Sequence, residues 1–151
     1  MVFELIDEPV CLDFTGSFNA QVDGQGRLLL PAVFRNAMNG GDKKLKISFF
    51  TMAHPKDHKL VCFSREEFEK KLVPIPKEQR GAIIANAYRV DCQDNSGRFA
   101  VDILSRVSAW PENCREFVFV GAGDRFFICP AEEENAEAVA VIETFLEEPE
   151  A

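Results

Sequence analysis

The sequence predicts an α+β fold dominated by strands and built from one unit written twice. Two observations carry that prediction. The first is a repeated stretch. Asp23-Gly24-Gln25-Gly26-Arg27-Leu28-Leu29-Leu30-Pro31 returns in weaker form as Asp94-Asn95-Ser96-Gly97-Arg98-Phe99-Ala100-Val101-Asp102; both read D-x-x-G-R-x-x-x and lie 71 residues apart in a chain of 151. The second is what surrounds each copy: a turn between apolar runs, then a helical pattern, a second strand pair and a second helical pattern. Strands in mostly antiparallel pairs point to a small barrel or paired half-barrels, a split barrel, rather than a doubly wound sheet. The expected boundaries are an N-terminal extension over 1–13, a first repeat over 14–80, and a second repeat over 81–151 that ends in an acidic helix.

Each repeated stretch reads as a hairpin tip. Glycine supplies positive φ without steric cost, and Asp and Asn side chains bond their own backbone. Apolar runs flank both turns: Phe18 to Val22 and Leu28 to Leu30 around the first, Tyr88 to Val90 and Phe99 to Val101 around the second. A strand over Val2 to Ile6 is expected ahead of them. Pro31 opens a helix that runs to Met38 and ends at Asn39-Gly40-Gly41. Leu45 to Phe50 alternates like a strand, Thr51 to Lys59 is a polar loop, and Leu60 to Phe63 is the returning strand. Ser64-Arg65-Glu66-Glu67 has the spacing of a capping box, and Phe68, Leu72 and Val73 supply the apolar face of the helix it opens. Pro74 and Pro76 stop that helix and begin a linker to residue 80.

In the second half, Gly81 to Asn86 reads as a short helix or strand, and Ile103 to Trp110 as a helix stopped by Pro111. Glu116 to Val120 and Phe126 to Cys129 are strands around the turn Gly121 to Arg125. Residues 131–148 form the acidic amphipathic helix, with Val139, Ile142, Phe145 and Leu146 as its expected buried stripe.

Several function classes are disfavoured. No apolar run approaches the roughly 20 residues that span a bilayer. The N-terminus is acidic where a secretory signal starts basic, so a cytoplasmic protein is expected. The five cysteines, Cys11, Cys62, Cys92, Cys114 and Cys129, are scattered and fit reduced, mostly buried thiols better than a disulfide frame or zinc site. His54 and His58 are spaced for a metal pair, but Pro55 places them in a loop and there is no third histidine. Cys62 and Cys129 lie in apolar strand contexts, where inert thiols are the rule. Gly121-Ala122-Gly123-Asp124 lacks the third glycine and following helix of a phosphate loop. No catalytic residue, metal, cofactor or small-molecule substrate is expected.

Charge is uneven. The net charge is −8, yet residues 14–90 hold 13 Lys+Arg against 7 Asp+Glu, a balance of +6, while residues 101–151 hold 3 against 12, a balance of −9. Local field governs approach to a polyanion more than total charge does. Arg27 and Arg98 stand just past the two turns, where a guanidinium suits phosphate and base-edge contact. The plainer reading is an arginine that pairs with the nearby aspartate and holds the turn. Lys43 and Lys44 make a phosphate patch or, equally, a solvated strand edge that lysine protects from pairing.

These residues resemble the MraZ family of bacterial transcription regulators, which have an AbrB-like swapped-hairpin fold. The resemblance runs from about Phe14 to about residue 148. It is carried by Phe14 to Arg35 and by Phe117-Val118-Phe119-Val120-Gly121-Ala122-Gly123-Asp124-Arg125-Phe126-Phe127-Ile128. It implies two AbrB-like repeats packed with pseudo-two-fold symmetry and a homo-oligomeric ring with the tips on one face. It also implies binding to double-stranded DNA at repeated promoter elements upstream of division and cell-wall genes, in the cytoplasm at the nucleoid. Carried over by position, Arg27 and Arg98 face DNA, and Asp23, Gly26, Asp94 and Gly97 shape the turns. Asp102 stands where the family's second motif usually has proline, which sets Arg27 above Arg98 as a contact. Two other readings compete. One is a protein-interaction or scaffold ring that keeps the fold without DNA affinity. The other is an antitoxin-like partner of a toxin, which the internal repeat argues against.

Overall fold

The computed structural model describes residues 10–40, 42, 46–56, 59–93, 96–102, 114–131 and 136–147. In chain order the elements are β1 (Ser17–Gln21), β2 (Arg27–Leu29), α1 (Ala32–Asn39), β3 (Ser48–Ala53), β4 (Leu60–Ser64), α2 (Arg65–Leu72), α3 (Lys77–Ala85), β5 (Tyr88–Asp91), β6 (Arg98–Ala100), β7 (Glu116–Gly121), β8 (Phe126–Pro130) and α4 (Ala136–Leu146). The expected strand at Val2 to Ile6 and helix at Ile103 to Trp110 lie outside the described residues.

The fold is α+β and strand-rich. Six strands form one antiparallel sheet in the order β1-β7-β8-β4-β3-β5, and β2 and β6 form a separate two-stranded ribbon. The expected closed or split barrel is corrected on this point: the described sheet is open, with β1 and β5 as its edges. The hairpin reading of the two turns is corrected as well. Each turn reverses the chain, but the strands on either side part company. β1 pairs with β7 and β2 with β6, while β5 pairs with β3. The reason is burial: Leu28 and Phe99, facing each other across the ribbon, are both fully buried, which local pairing of the flanking runs would not require.

Alternation along the strands builds the core. Phe117 and Phe119 of β7, Phe126 and Ile128 of β8, Leu60 and Cys62 of β4, and Phe49 of β3 point to the face covered by the ribbon and α1. Phe126 lies at the centre, its ring 5.1 Å from Phe14, 4.9 Å from Phe34, 5.5 Å from Phe49 and 6.3 Å from Phe119. Val61 and Phe63 point to the other face, where Phe68 of α2 covers them. β4 is therefore buried on both sides, which explains its unbroken apolar run Leu60-Val61-Cys62-Phe63.

β3 starts and ends three residues later than the alternation suggests. Thr51 and Met52 pair with Cys62 and Val61, and the Cys62 thiol donates to the buried Thr51 hydroxyl at 3.3 Å, so a polar residue enters the sheet satisfied. Ser64 caps α2 as expected: its hydroxyl accepts from the Glu67 amide at 3.2 Å. α3 starts at Lys77, directly after Pro76, within the expected linker. Arg80 stitches it to α2 by donating to the carbonyls of Leu72, Val73 and Ile75 at 2.8–3.0 Å. Ahead of β1, Phe14 docks on the β7–β8 turn, where it and Gly123 exchange two backbone hydrogen bonds of 2.9 Å. The expected buried stripe on the last helix is reversed: Ile142, Phe145 and Leu146 of α4 are exposed. None of the five cysteines is in a disulfide; Cys62 and Cys92 are buried and the other three half-buried.

Removing the Phe126 ring strips several aromatic partners at once. Phe126→Ala is expected to cost about 3–5 kcal/mol in urea unfolding. Phe127→Ala, on the opposite face beside the Lys59 ammonium 4.1 Å from its ring, costs clearly less.

Candidate nucleic-acid interface

The site is built on the β2–β6 ribbon. Arg27 lies opposite Ala100, Leu28 opposite Phe99, and Leu29 opposite Arg98. Because strand side chains alternate, Arg27, Leu29, Arg98 and Ala100 share the outer face while Leu28 and Phe99 fill the core. Arg27 and Arg98 are diagonal neighbours, about 7–8 Å apart at the backbone by sheet geometry. The backbone bonds continue past the strand ends: Leu30 N–H donates to Gly97 C=O at 3.1 Å and Val101 N–H to Gly26 C=O at 2.9 Å. Each turn is therefore clipped to the far end of the other turn's strand.

The first turn is closed by Asp23. Its carboxylate accepts from the Gln25 amide at 2.9 Å, the Arg27 amide at 2.9 Å and Arg27 Nε at 3.1 Å. Its backbone N–H donates to Arg27 C=O at 2.9 Å, and its C=O accepts from Gly26 at 3.1 Å. The backbone hydrogen bond from Arg27, ahead of the guanidinium itself, holds the Asp23 carboxyl below its usual 3.8. The turn-holding role of Arg27 is real, and it uses Nε, so the outer end of the guanidinium makes no hydrogen bond to the described residues.

In the second turn, Arg98 Nη1 donates to the Ser96 hydroxyl at 2.7 Å. Asp94 and Asn95 lie outside the described residues, as do Lys43 and Lys44. Asp102 is exposed at the end of the ribbon's continuation. Sequence reasoning missed Arg35. From α1 its Nη1 donates to Ser96 C=O at 2.6 Å, and its side-chain stem fills the space above Gly97. The available signal was its place eight residues after Arg27, on a helix that starts at the ribbon's end. Both glycines have positive φ, +74° at Gly26 and +87° at Gly97. They differ in surroundings: a Cβ on Gly26 meets nothing, whereas one on Gly97 would lie 2.6 Å from Arg35 Cδ.

Elsewhere, Cys11, Asp13 and Glu67 bring three donor atoms within 4.8 Å of one another. Glu67 already faces the Lys70 ammonium at 3.5 Å, and three mixed donors, one exposed and two half-buried, do not define a metal geometry.

The fold and site define a strand-rich α+β protein that carries two Gly-Arg turns on one antiparallel ribbon. A family model described as "MraZ protein, putative antitoxin-like" matches residues 14–80. Similar proteins named "Transcriptional regulator MraZ" occur in Saccharopolyspora erythraea (30% identical over 125 residues, 79% of this chain and 82% of the relative), Mycolicibacterium gilvum (32% over 103 residues, 68% and 66%) and Burkholderia cenocepacia (29% over 136 residues, 85% and 90%). The chain belongs to the MraZ family.

Two outcomes follow for the turns. Gly97→Ala is expected to lower the thermal midpoint more than Gly26→Ala, since both incur the roughly 1–2 kcal/mol left-handed penalty but only the first displaces Arg35. A carboxyl depressed in the fold stabilises above its unfolded pKa and loses that contribution as pH falls through the folded value. In an NMR titration the Asp23 carboxyl should therefore have its midpoint below 3.8, with the Gln25 and Arg27 amides moving together with it.

Proposed function

We propose that this protein is a DNA-binding transcriptional regulator that reads repeated promoter elements in double-stranded DNA through its two D-x-x-G-R tips. The observation that carries the reading is the ribbon register, which sets Arg27 and Arg98 on one outward face. An arginine preset by its neighbours loses less freedom on contact and matches phosphate or a guanine edge with two hydrogen bonds. The basic balance of residues 14–90 favours the same surface. Lys43 and Lys44 add phosphate contacts, and Asp23, Gly26, Asp94 and Gly97 shape the turns.

In this reading the chain is two tandem repeats, 14–80 and 81–151, related by a pseudo-two-fold axis. Three pairings support it. The ribbon is centred on Leu28 and Phe99, which are 71 residues apart. The β4–β8 contact is centred on Val61 and Phe127. The strand order β1-β7-β8-β4-β3-β5 reads the same when the two halves are exchanged. Several copies then form a ring with the tips on one face, so weak tip contacts sum over spaced repeats by avidity. The relatives' name, "Transcriptional regulator MraZ", supports the regulatory role. Promoters of division and cell-wall genes, read at the nucleoid in the cytoplasm, are the targets the family resemblance suggests. The scaffold reading draws on the acidic C-terminal third and on the exposed Asp102, which follows Val101 at the end of the ribbon clipped to Gly26 of the first turn.

Fluorescence anisotropy with a duplex from upstream of the protein's own gene tests the proposal. Wild type is expected to bind with a steep salt dependence. Arg27→Ala should weaken binding by about 1–3 kcal/mol, and Arg98→Ala by less. Equal losses overturn the asymmetry between the tips. A correctly assembled oligomer that binds neither that duplex nor a longer upstream fragment favours the scaffold.

A further inference from the structure

The outer face of the ribbon holds Arg27 and Leu29 of β2 and Arg98 and Ala100 of β6. Each arginine has an apolar residue directly opposite: Ala100 faces Arg27, and Leu29 faces Arg98. Of the six ribbon residues Leu29 is the most exposed, at 41%, while both arginines and Ala100 are half-buried. Exposure therefore runs against hydropathy here: the leucine keeps more of its surface in water than the cations beside it do. It has no inward alternative, because Leu28 and Leu30 on either side are fully buried. Its backbone is held as well, since the next amide, Leu30 N–H, donates to Gly97 C=O at 3.1 Å.

We infer that Leu29 is a base-reading residue: on DNA it packs against the 5-methyl group of a thymine, beside the guanine that Arg98 contacts. This rests on the DNA-binding reading of the ribbon and adds which base the site selects. A two-stranded ribbon fits the major groove, where base edges are displayed. Almost everything displayed there is polar: N7 and O6 of guanine, N7 and the amino group of adenine, the amino group of cytosine, O4 of thymine. A leucine set against any of these takes away its water and offers no hydrogen bond in return. The thymine methyl is the one apolar group in the groove. Spacing agrees with this partner. Directly opposed strand residues lie about 4.5–5.5 Å apart and diagonal ones about 7–8 Å, against a rise of about 3.4 Å per base pair. Arg27 and Arg98 therefore reach bases about two steps apart, and Leu29 a base about one step from that of Arg98. At the other end Ala100 is too short to do the same beside Arg27. The two ends of the ribbon then differ in kind, and only the Arg98 end selects for the methyl.

The test removes the methyl from the DNA and the leucine from the protein. The duplex from upstream of the protein's own gene is made twice, once with thymine and once with uracil throughout, which keeps base pairing and takes away the 5-methyl groups. Full-length wild type is expected to bind the uracil duplex about fourfold more weakly, or worse where several copies engage, as the loss of one buried methyl predicts. Leu29→Ala is expected to bind both duplexes alike, at about the wild-type affinity for uracil DNA, and Leu29→Ser should repeat that result. Leu29→Ile keeps an apolar tip and should keep the preference. All three are expected to retain the wild-type circular dichroism and assembled mass, because the side chain is exposed. Equal wild-type binding to the two duplexes overturns the assignment, and so does a Leu29→Ala protein that keeps the full preference. A fall in assembled mass on Leu29→Ala places the side chain between copies and overturns it as well. Wild type that binds neither duplex overturns the DNA reading itself, so the two failures are told apart.

Discussion

The pairing of Leu28 with Phe99 is the constraint on which the rest depends. A two-stranded ribbon of three residues per strand is not stable alone. This one holds because its inner face is core: Leu28 and Phe99 are fully buried, and the Phe99 ring lies 5.4 Å from Phe49 and 6.4 Å from Phe119. Once those two side chains point inward, the period of two sends Arg27 and Arg98 outward. A slip of one residue in β6 would bury the Arg98 guanidinium and expose the Phe99 ring, an exchange no local hydrogen bond offsets. The place of the arginines is thus a consequence of hydrophobic burial, and the turns only refine it.

What was legible in the sequence follows from what is local. The turn closed by Asp23, the Ser64 cap and the strands over Glu116 to Val120 and Phe126 to Cys129 are written in neighbouring residues, and the structure keeps them. Strand pairing is not local. A turn between apolar runs signals a reversal, but nothing in Phe18 to Leu30 says that β1 joins β7 while β2 joins β6. The same limit hid Arg35, whose partner Ser96 is 61 residues away. It also misplaced the stripe of α4: an amphipathic pattern tells that a face wants cover and not where the cover is.

The net charge of −8 looks opposed to a polyanion partner, and the site shows why the total misleads. Asp23 counts as an anion, yet its carboxylate is engaged with two backbone amides and Arg27 Nε. Its charge is committed to building the turn and fixing the guanidinium plane. Such a group costs some local field and returns it as preorganisation, since Arg27 Nε is fixed by Asp23 before any contact is made. At the second tip the arginine meets a hydroxyl, that of Ser96, and the turn takes further support from α1 through Arg35.

That support ties the two tips together. Arg35 stands on the helix that follows the first turn and holds the backbone of the second, while the Gly26 and Gly97 carbonyls clip each turn to the opposite strand. Neither turn can shift without pulling on the other's supports, so the pair behaves as one rigid surface. Rigidity of this kind matters most when each contact is weak. Avidity across several copies depends on every tip meeting its partner without a separate ordering cost.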